Sequence, residues 1–309
     1  MAWLAALPAL AQDTTLTPTF AYAETPKEDA KETGWKVEAK AGLLWLAGNS
    51  DSTSLSAGLK VTRDAVWQRY SLMAAYAFAK SRVYESPPTP IVIDNLDQLR
   101  SASLLSARLW NVTPRFDQWL IHRRAPGDTS VYVLANVASD YAAGRKLFGG
   151  AQVGVSTLVF KTGGHSLIGE LGYDFTYLQP TDPKPGVTAA GYAIHSLRTA
   201  LAYAWDLSTT TRFTTAAEYL VNLNRESGAP DPVNIDYVSA FEDHRVNVVV
   251  GLTTQIYGRL SLNVSWTGRY DAKPNLVTLP TNVTAANPPG VFLRTFDSIT
   301  QVQFVYTLG

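Results

Sequence analysis

The chain contains no cysteine, so disulfide scaffolds and thiolate metal sites are closed to it. It has no run of about 18 apolar residues, which excludes a membrane-spanning helix. Neither sign of charge is in excess: 26 Lys and Arg stand against 26 Asp and Glu over 309 residues. A nucleic-acid binder would show a basic face, so no nucleic-acid partner is expected. The four histidines, His122, His165, His195 and His244, lie on separate segments with no His-x-x-x-His spacing, so no zinc site, other metal or cofactor is expected.

What the chain has instead is alternation. From Gly34 onward about every second residue is apolar, in segments that break at turn chemistry. In Ala193–Asp206, Leu197, Leu201, Tyr203 and Trp205 share one face while Ser196, Arg198, Ala200, Ala202 and Asp206 share the other. A period of two marks β-strands. The pattern predicts twelve: Gly34–Ala47, Ser52–Arg63, Arg69–Arg82, Asp97–Asn111, Thr129–Ser139, Phe148–Phe160, His165–Leu178, Ala193–Asp206, Thr210–Asn224, Ala240–Ile256, Arg259–Asp271 and Phe292–Leu308. Val112–Gly127, with Pro114 and Pro126, reads as a long turn or a partial strand.

These strands exceed the ~5–6 residues usual in soluble proteins and suit a tilted bilayer crossing with apolar residues in lipid and polar ones in a lumen. The connections sort by length. Those near Asp64–Gln68, Lys161–Gly164, Asp206–Thr209 and Ile256–Gly258 are short, and the alternate set is mostly long and rich in Pro and Asn. Val112–Gly127 is long on the short side. Aromatic residues gather near strand ends: Trp35, Tyr70, Phe160, Trp205, Phe213 and Tyr306 toward one rim, and Trp45, Phe78, Phe175, Tyr177, Tyr219 and Tyr270 toward the other. A β-sandwich also alternates but gives no reason for two aromatic rims, whereas headgroup girdles do. The expected fold is all-β, a single closed antiparallel transmembrane up-and-down β-barrel of about 12 strands over residues 34–309.

Before it, MAWLAALPALAQ offers a short apolar run and a small-residue cleavage site at Ala9-Leu10-Ala11, so residues 1–11 read as part of a signal peptide. Residues 12–33, rich in Thr, Pro, Glu and Lys, read as a flexible periplasmic tail. An even number of strands then sets both termini in the periplasm of a bacterial outer membrane.

The opening hairpin, GLLWLAGNSDSTSLSAGLKVTRD, carries Gly42, Gly48, Asn49, Ser50, Thr53 and Ser54 around its turn. It resembles the start of the salt-induced outer-membrane protein family, also called domain of unknown function 481, whose members commonly show a Gly-Asn-Thr/Ser-Asp turn before a Thr/Ser-rich strand. Gly150, Gly154 and Gly169-Glu170-Leu171-Gly172-Tyr173 are compatible with it. The resemblance implies an outer-membrane barrel of unestablished biochemical role and brings no catalytic residues. Such barrels usually end in an aromatic residue read by the insertion machinery, while this chain ends Tyr306-Thr307-Leu308-Gly309.

For chemistry, His195-Ser196 invites comparison with lipid or lipopolysaccharide hydrolases, but adjacent strand residues point to opposite faces and a nucleophile needs its base within reach. The acidic loop pairs Asp94/Asp97, Asp231/Asp236 and Glu242/Asp243 lack the spacing of a calcium loop and read as solvated charge. The inward faces carry the functional hint. Lys36, Lys40, Lys60, Arg100, Arg108, Arg198, Arg212, Arg245 and Arg269, with Glu38, Glu170, Asp174, Glu218 and Asp297, are expected to line the lumen. They either line a narrow passive channel for small solutes, with a mild anion preference, or pair across the interior and occlude it, leaving a structural envelope element. Eight strands give a filled barrel and about 16 an open one, so twelve lies between. The expected partners are outer-membrane lipids, lipopolysaccharide, the barrel-assembly machinery and small solutes. A third reading makes the loops Gln179–Gly191 and Ala272–Val291 a docking surface for a ligand or partner.

Overall fold

The computed structural model of the chain describes residues 34–46, 52–84, 101–121, 126–140, 145–180, 190–227, 237–273, 276–278, 290–292 and 296–308. The proposed signal peptide and tail, and loop positions such as Asp94, Asp231 and Arg100, lie outside them.

Twelve long strands close into one antiparallel barrel. They are β1 (Gly34–Leu46), β2 (Ser52–Asp64), β3 (Gln68–Tyr84), β4 (Ser101–Ile121), β5 (Thr129–Asp140), β6 (Arg145–Thr162), β7 (His165–Pro180), β8 (Tyr192–Asp206) and β9 (Thr211–Asn222), followed after a two-stranded ribbon by β12 (His244–Tyr257) and β13 (Leu260–Asp271), and after a second ribbon by β16 (Phe296–Leu308). Each pairs with its predecessor along the barrel, and β1 closes the ring on β16 from Val37 opposite Leu308 to Leu43 opposite Val302. The ribbons are β10 (Glu226–Ser227) with β11 (Tyr237–Val238), and β14 (Leu276–Thr278) with β15 (Gly290–Phe292). The shortest barrel strands have 12 residues. At about 3.3 Å per residue such a strand still crosses a ~25 Å apolar band when tilted.

The hairpin turns are made by residues that tolerate them. Gly163 and Gly164 take φ of 53° and 82° between the paired residues Thr162 and His165, the left-handed pair that a two-residue hairpin matched to strand twist requires. Gly258, at φ 53°, serves the β12–β13 turn. These turns, with those after β2 and β8, form a short-turn end, and the ribbons belong to the opposite, long-loop end.

Several boundaries differ from the sequence reading. Of the two readings of Val112–Gly127 the partial strand holds: β4 runs on to Ile121, past Pro114. Pro114 holds its place opposite Leu72 in the β3 register, but the β5 register passes from Val112 to Arg115, as expected of a residue with no N–H to give the ladder. The exception to the sorting of loop lengths thereby shrinks to the few residues between Ile121 and Thr129. Strand β12 starts at His244 rather than Ala240, because residues 240–242 turn, with Phe241 at φ 63°. Of the last predicted strand, Phe292 ends β15 and Phe296–Leu308 form β16, and the loop ribbons, too short to show a period, escaped the sequence reading altogether.

The two faces of the wall are chemically distinct. Leu59, Tyr76, Val133, Val153, Leu171, Leu201, Val302 and Phe304 lie exposed on the outside, far more contiguous apolar surface than a soluble monomer shows. Trp35, Tyr70, Trp205 and Tyr306 are exposed near the short-turn rim, and Tyr177, Tyr219 and Tyr270 near the other. The side chains of Trp45 and Phe78 lie outside the described residues. Ring contacts link strands around the short-turn rim, Phe160 to Tyr203 at 6.5 Å and Tyr203 to Phe213 at 6.4 Å between centroids. This is a transmembrane barrel turned apolar side out.

Candidate functional site in the barrel interior

The interior is layered along the strands β4 to β9 and β12. Nearest the short turns, Leu158, Ile168, Ala202, Ala216 and Val249 pack as a dry cluster. Further toward the loops on the same strands, Glu170 and Glu218 stand two residues beyond Ile168 and Ala216, and Arg198 four residues from Ala202. Nearer the loops, Ala138, Phe148, Leu178, Tyr192 and Ile194 form a second apolar cluster, joined by Val238 of β11.

The charged layer is a continuous network. Arg115 of β4 donates to Asp117 through Nε, at 3.0 Å to Oδ2, and through Nη2, at 2.7 Å to Oδ1. The same Nη2 reaches Glu170 of β7 at 2.7 Å. Arg198 of β8 donates to the other oxygen of Glu170 at 2.7 Å, to Glu218 of β9 at 2.5 Å and to the Tyr132 hydroxyl at 2.8 Å. Asn247 of β12 completes Glu218 at 2.9 Å. Arg198 has no exposed surface at all. Charges this deeply buried persist only when paired and hydrogen-bonded, and here both arginines and all three carboxylates are.

Two glycines let the network form. Tyr132 of β5 must cross β6 and β7 to reach Arg198, and it lies over Gly154 and Gly172. A Cβ on Gly154 would stand 2.7 Å from the Tyr132 hydroxyl, and one on Gly172 2.5 Å. The ring also receives the Arg115 guanidinium at 4.3 Å from its centroid, a stacked cation–π geometry.

The residues expected in the lumen are distributed as follows. Glu170, Arg198 and Glu218 belong to the network. Asp174 lies nearer the loops, accepting from Gln152 at 2.8 Å and Thr176 at 3.0 Å. Arg245 donates to Ser196 at 2.7 Å and pairs with Asp243 at 3.2 Å. Arg212 pairs with Asp206 at 3.1 Å by the short turns. Lys36 pairs with Glu38, and its side chain is 48% exposed. Lys40, Lys60 and Arg269 are half-buried. Arg269 stands in register between Asn247 and Asp297, whose side chain is not among those described.

Arg108 stands on β4 in register with Phe78. A bulge precedes it: Ala107 pairs with Ala79 but Leu105 with Lys80, so alternation counted through residue 106 slips by one. The side chain of Arg108 lies outside the described residues.

Arg115, Asp117 and Tyr132 were missed by the sequence reading. The first two continue the β4 alternation beyond Pro114, and that persistence was the available signal. Nothing local marks Tyr132. His195 and Ser196 lie on opposite faces: His195 meets the Tyr173 hydroxyl outside, while Ser196 is buried inside with Arg245. Asp243 is not solvated loop charge. It is 3% exposed and paired with Arg245.

A closed barrel of twelve up-and-down strands with an apolar exterior and a charged interior defines a transmembrane β-barrel of the bacterial outer-membrane type. Within that class, residues 39–229 match the family described as "Protein of unknown function, DUF481", and the chain belongs to that family. No curated protein matches the chain. Among solved structures, the translocator domain of the autotransporter NalP from Neisseria meningitidis is 12% identical, with 90% of each chain covered and a TM-score of 0.42. OmpT, an outer membrane protein of Vibrio cholerae, is 8% identical, covering 93% of this chain and 100% of that one, with a TM-score of 0.38. An anion-selective porin from Comamonas acidovorans is 8% identical, covering 90% and 100%, with a TM-score of 0.34.

Proposed function

We propose that the protein is a non-enzymatic outer-membrane barrel that gives small solutes a narrow passive path, set off-axis and weakly selective for anions. The observation that carries this reading is the unequal filling of the interior. Strands β4 to β9 close their half with two dry clusters and a neutralised ion network. Along β1 and β2 the inward residues Lys36, Lys40 and Lys60 keep exposed surface around the one carboxylate of Glu38, so the space that remains runs past an arc in which cations outnumber carboxylates. In this reading the short-turn end and both termini face the periplasm, the long loops face outward, and the apolar belt meets lipid and lipopolysaccharide. Tyr306, exposed at the end of β16, is the aromatic residue offered to the assembly machinery.

Planar-bilayer recording tests the path. Refolded protein is expected to give small conductance steps with a reversal potential on the anion side, and Lys40→Glu with Lys60→Glu is expected to move it to the cation side. Silence from protein shown to be folded would remove the channel and leave an envelope element.

A further inference from the structure

The loop that joins β9 to β12 turns back onto the barrel mouth. Leu223 donates to the His195 carbonyl at 2.6 Å, and His195 N donates to Asn224 Oδ1 at 2.7 Å. From the returning side, Phe241 N donates to the Asn222 carbonyl at 2.9 Å. Asn222 clamps both sides, donating to the Ser239 carbonyl at 2.9 Å and accepting from Asp243 N at 3.0 Å. Val238 is thereby pressed into the apolar cluster of the upper lumen. Beside it the ribbon buries a carboxyl group: Glu226 is 2% exposed, and its Oε1 has no hydrogen-bond partner among the described residues.

The geometry points to a pH-operated latch in which protonated Glu226 holds the β10–β11 ribbon against the long-loop mouth, and its ionisation releases the ribbon and widens the path. Only the last clause rests on the passive-path reading. The charges around Glu226 come from three elements: Asp243 just before β12 and Arg245 on it, and Asp271 at the end of β13, with the amide of Asn222 from β9. Asp174 of β7 acts on the same Arg245. One guanidinium thus serves four carboxyl groups. Burial first, and then the like charge of Asp243, push the Glu226 carboxyl up to about 8, against the opposing pull of Arg245 and Asn222. The released ribbon returns it to its ordinary value of 4.5.

The sign follows from proton linkage. The docked ribbon binds the proton more tightly, so docking is strongest below about pH 4.5. It weakens by about tenfold per pH unit up to about 8, where the docked group also ionises, a total of about three and a half orders of magnitude.

Because the chain has no native cysteine, spin labels at Ala240→Cys and Ala135→Cys report ribbon position in refolded full-length protein, alongside conductance. The interlabel distance is expected to be narrow at pH 5 and broad at pH 9, with conductance rising over the same range. Glu226→Gln, checked for folding by heat-modified gel mobility, is expected to stay narrow at both. Asp243→Asn removes the like charge that drives release, so the ribbon is expected to be released less completely at pH 9 than in the parent. A distance that stays narrow at pH 9 in the labelled parent, or one that broadens equally in Glu226→Gln, overturns the latch, as does release at pH 9 in Asp243→Asn as complete as in the parent. A ribbon that moves as expected while no current flows at any pH overturns the passive path alone.

Discussion

Removing Arg198 tests whether the charged layer braces the barrel. Arg198→Ala deletes hydrogen bonds to Glu218 at 2.5 Å, Glu170 at 2.7 Å and Tyr132 at 2.8 Å. The two carboxylates fare differently. Glu170 keeps Arg115 at 2.7 Å, but Glu218 keeps only the neutral Asn247. One buried carboxylate is therefore left without a cation, and stranding such a charge costs about 3–5 kcal/mol. Adding Glu218→Gln removes the stranded charge and is expected to recover at least about 2 kcal/mol, since replacing both members of a buried pair is often near neutral. The assay is reversible denaturant unfolding in lipid vesicles, followed by tryptophan fluorescence and read as a midpoint shift at constant slope. A loss below about 1 kcal/mol in Arg198→Ala, or a double variant worse than the single one, would refute the bracing role.

Gly172→Ala places a Cβ 2.5 Å from the Tyr132 hydroxyl and 2.7 Å from the Val153 carbonyl; overpacking of this kind is expected to cost about 1–3 kcal/mol in the same unfolding assay. On the outer wall, Leu171→Arg at mid-strand is expected to cost about 2–4 kcal/mol, whereas Asn263→Arg on the inner face of β13 should change stability little; equal costs would mean that the wall does not face hydrocarbon.

The period of two fixed which way most side chains face, and the turn residues fixed where hairpins close. Gly163-Gly164 and the alternation of Leu167, Leu171 and Tyr173 against Glu170 and Asp174 were readable because each depends on a few neighbours in the chain. Two kinds of feature were not. The bulge near residue 106 shifts a register, and a register exists only between strands, so Arg108 could not be placed from β4 alone. The Arg115–Glu170–Arg198 chain joins residues 28 and 55 positions apart across strands whose order along the wall must first be known. Pro114 hid part of it by looking like a terminator, when a strand tolerates proline wherever the ladder can forgo one donor. The Glu226 ribbon is two residues long on each side, which leaves no periodicity to detect.

Uneven packing divides the labour around the circumference. The ion network and the dry clusters brace β4 to β9, while the path proposed for dissolved molecules follows the lysine-bearing arc of β1 and β2. Damage to the first arc should show itself as protein that fails to assemble, and changes in the second as altered ion preference in protein that assembles normally. On the proposed path, selectivity would be open to adjustment without disturbing the scaffold.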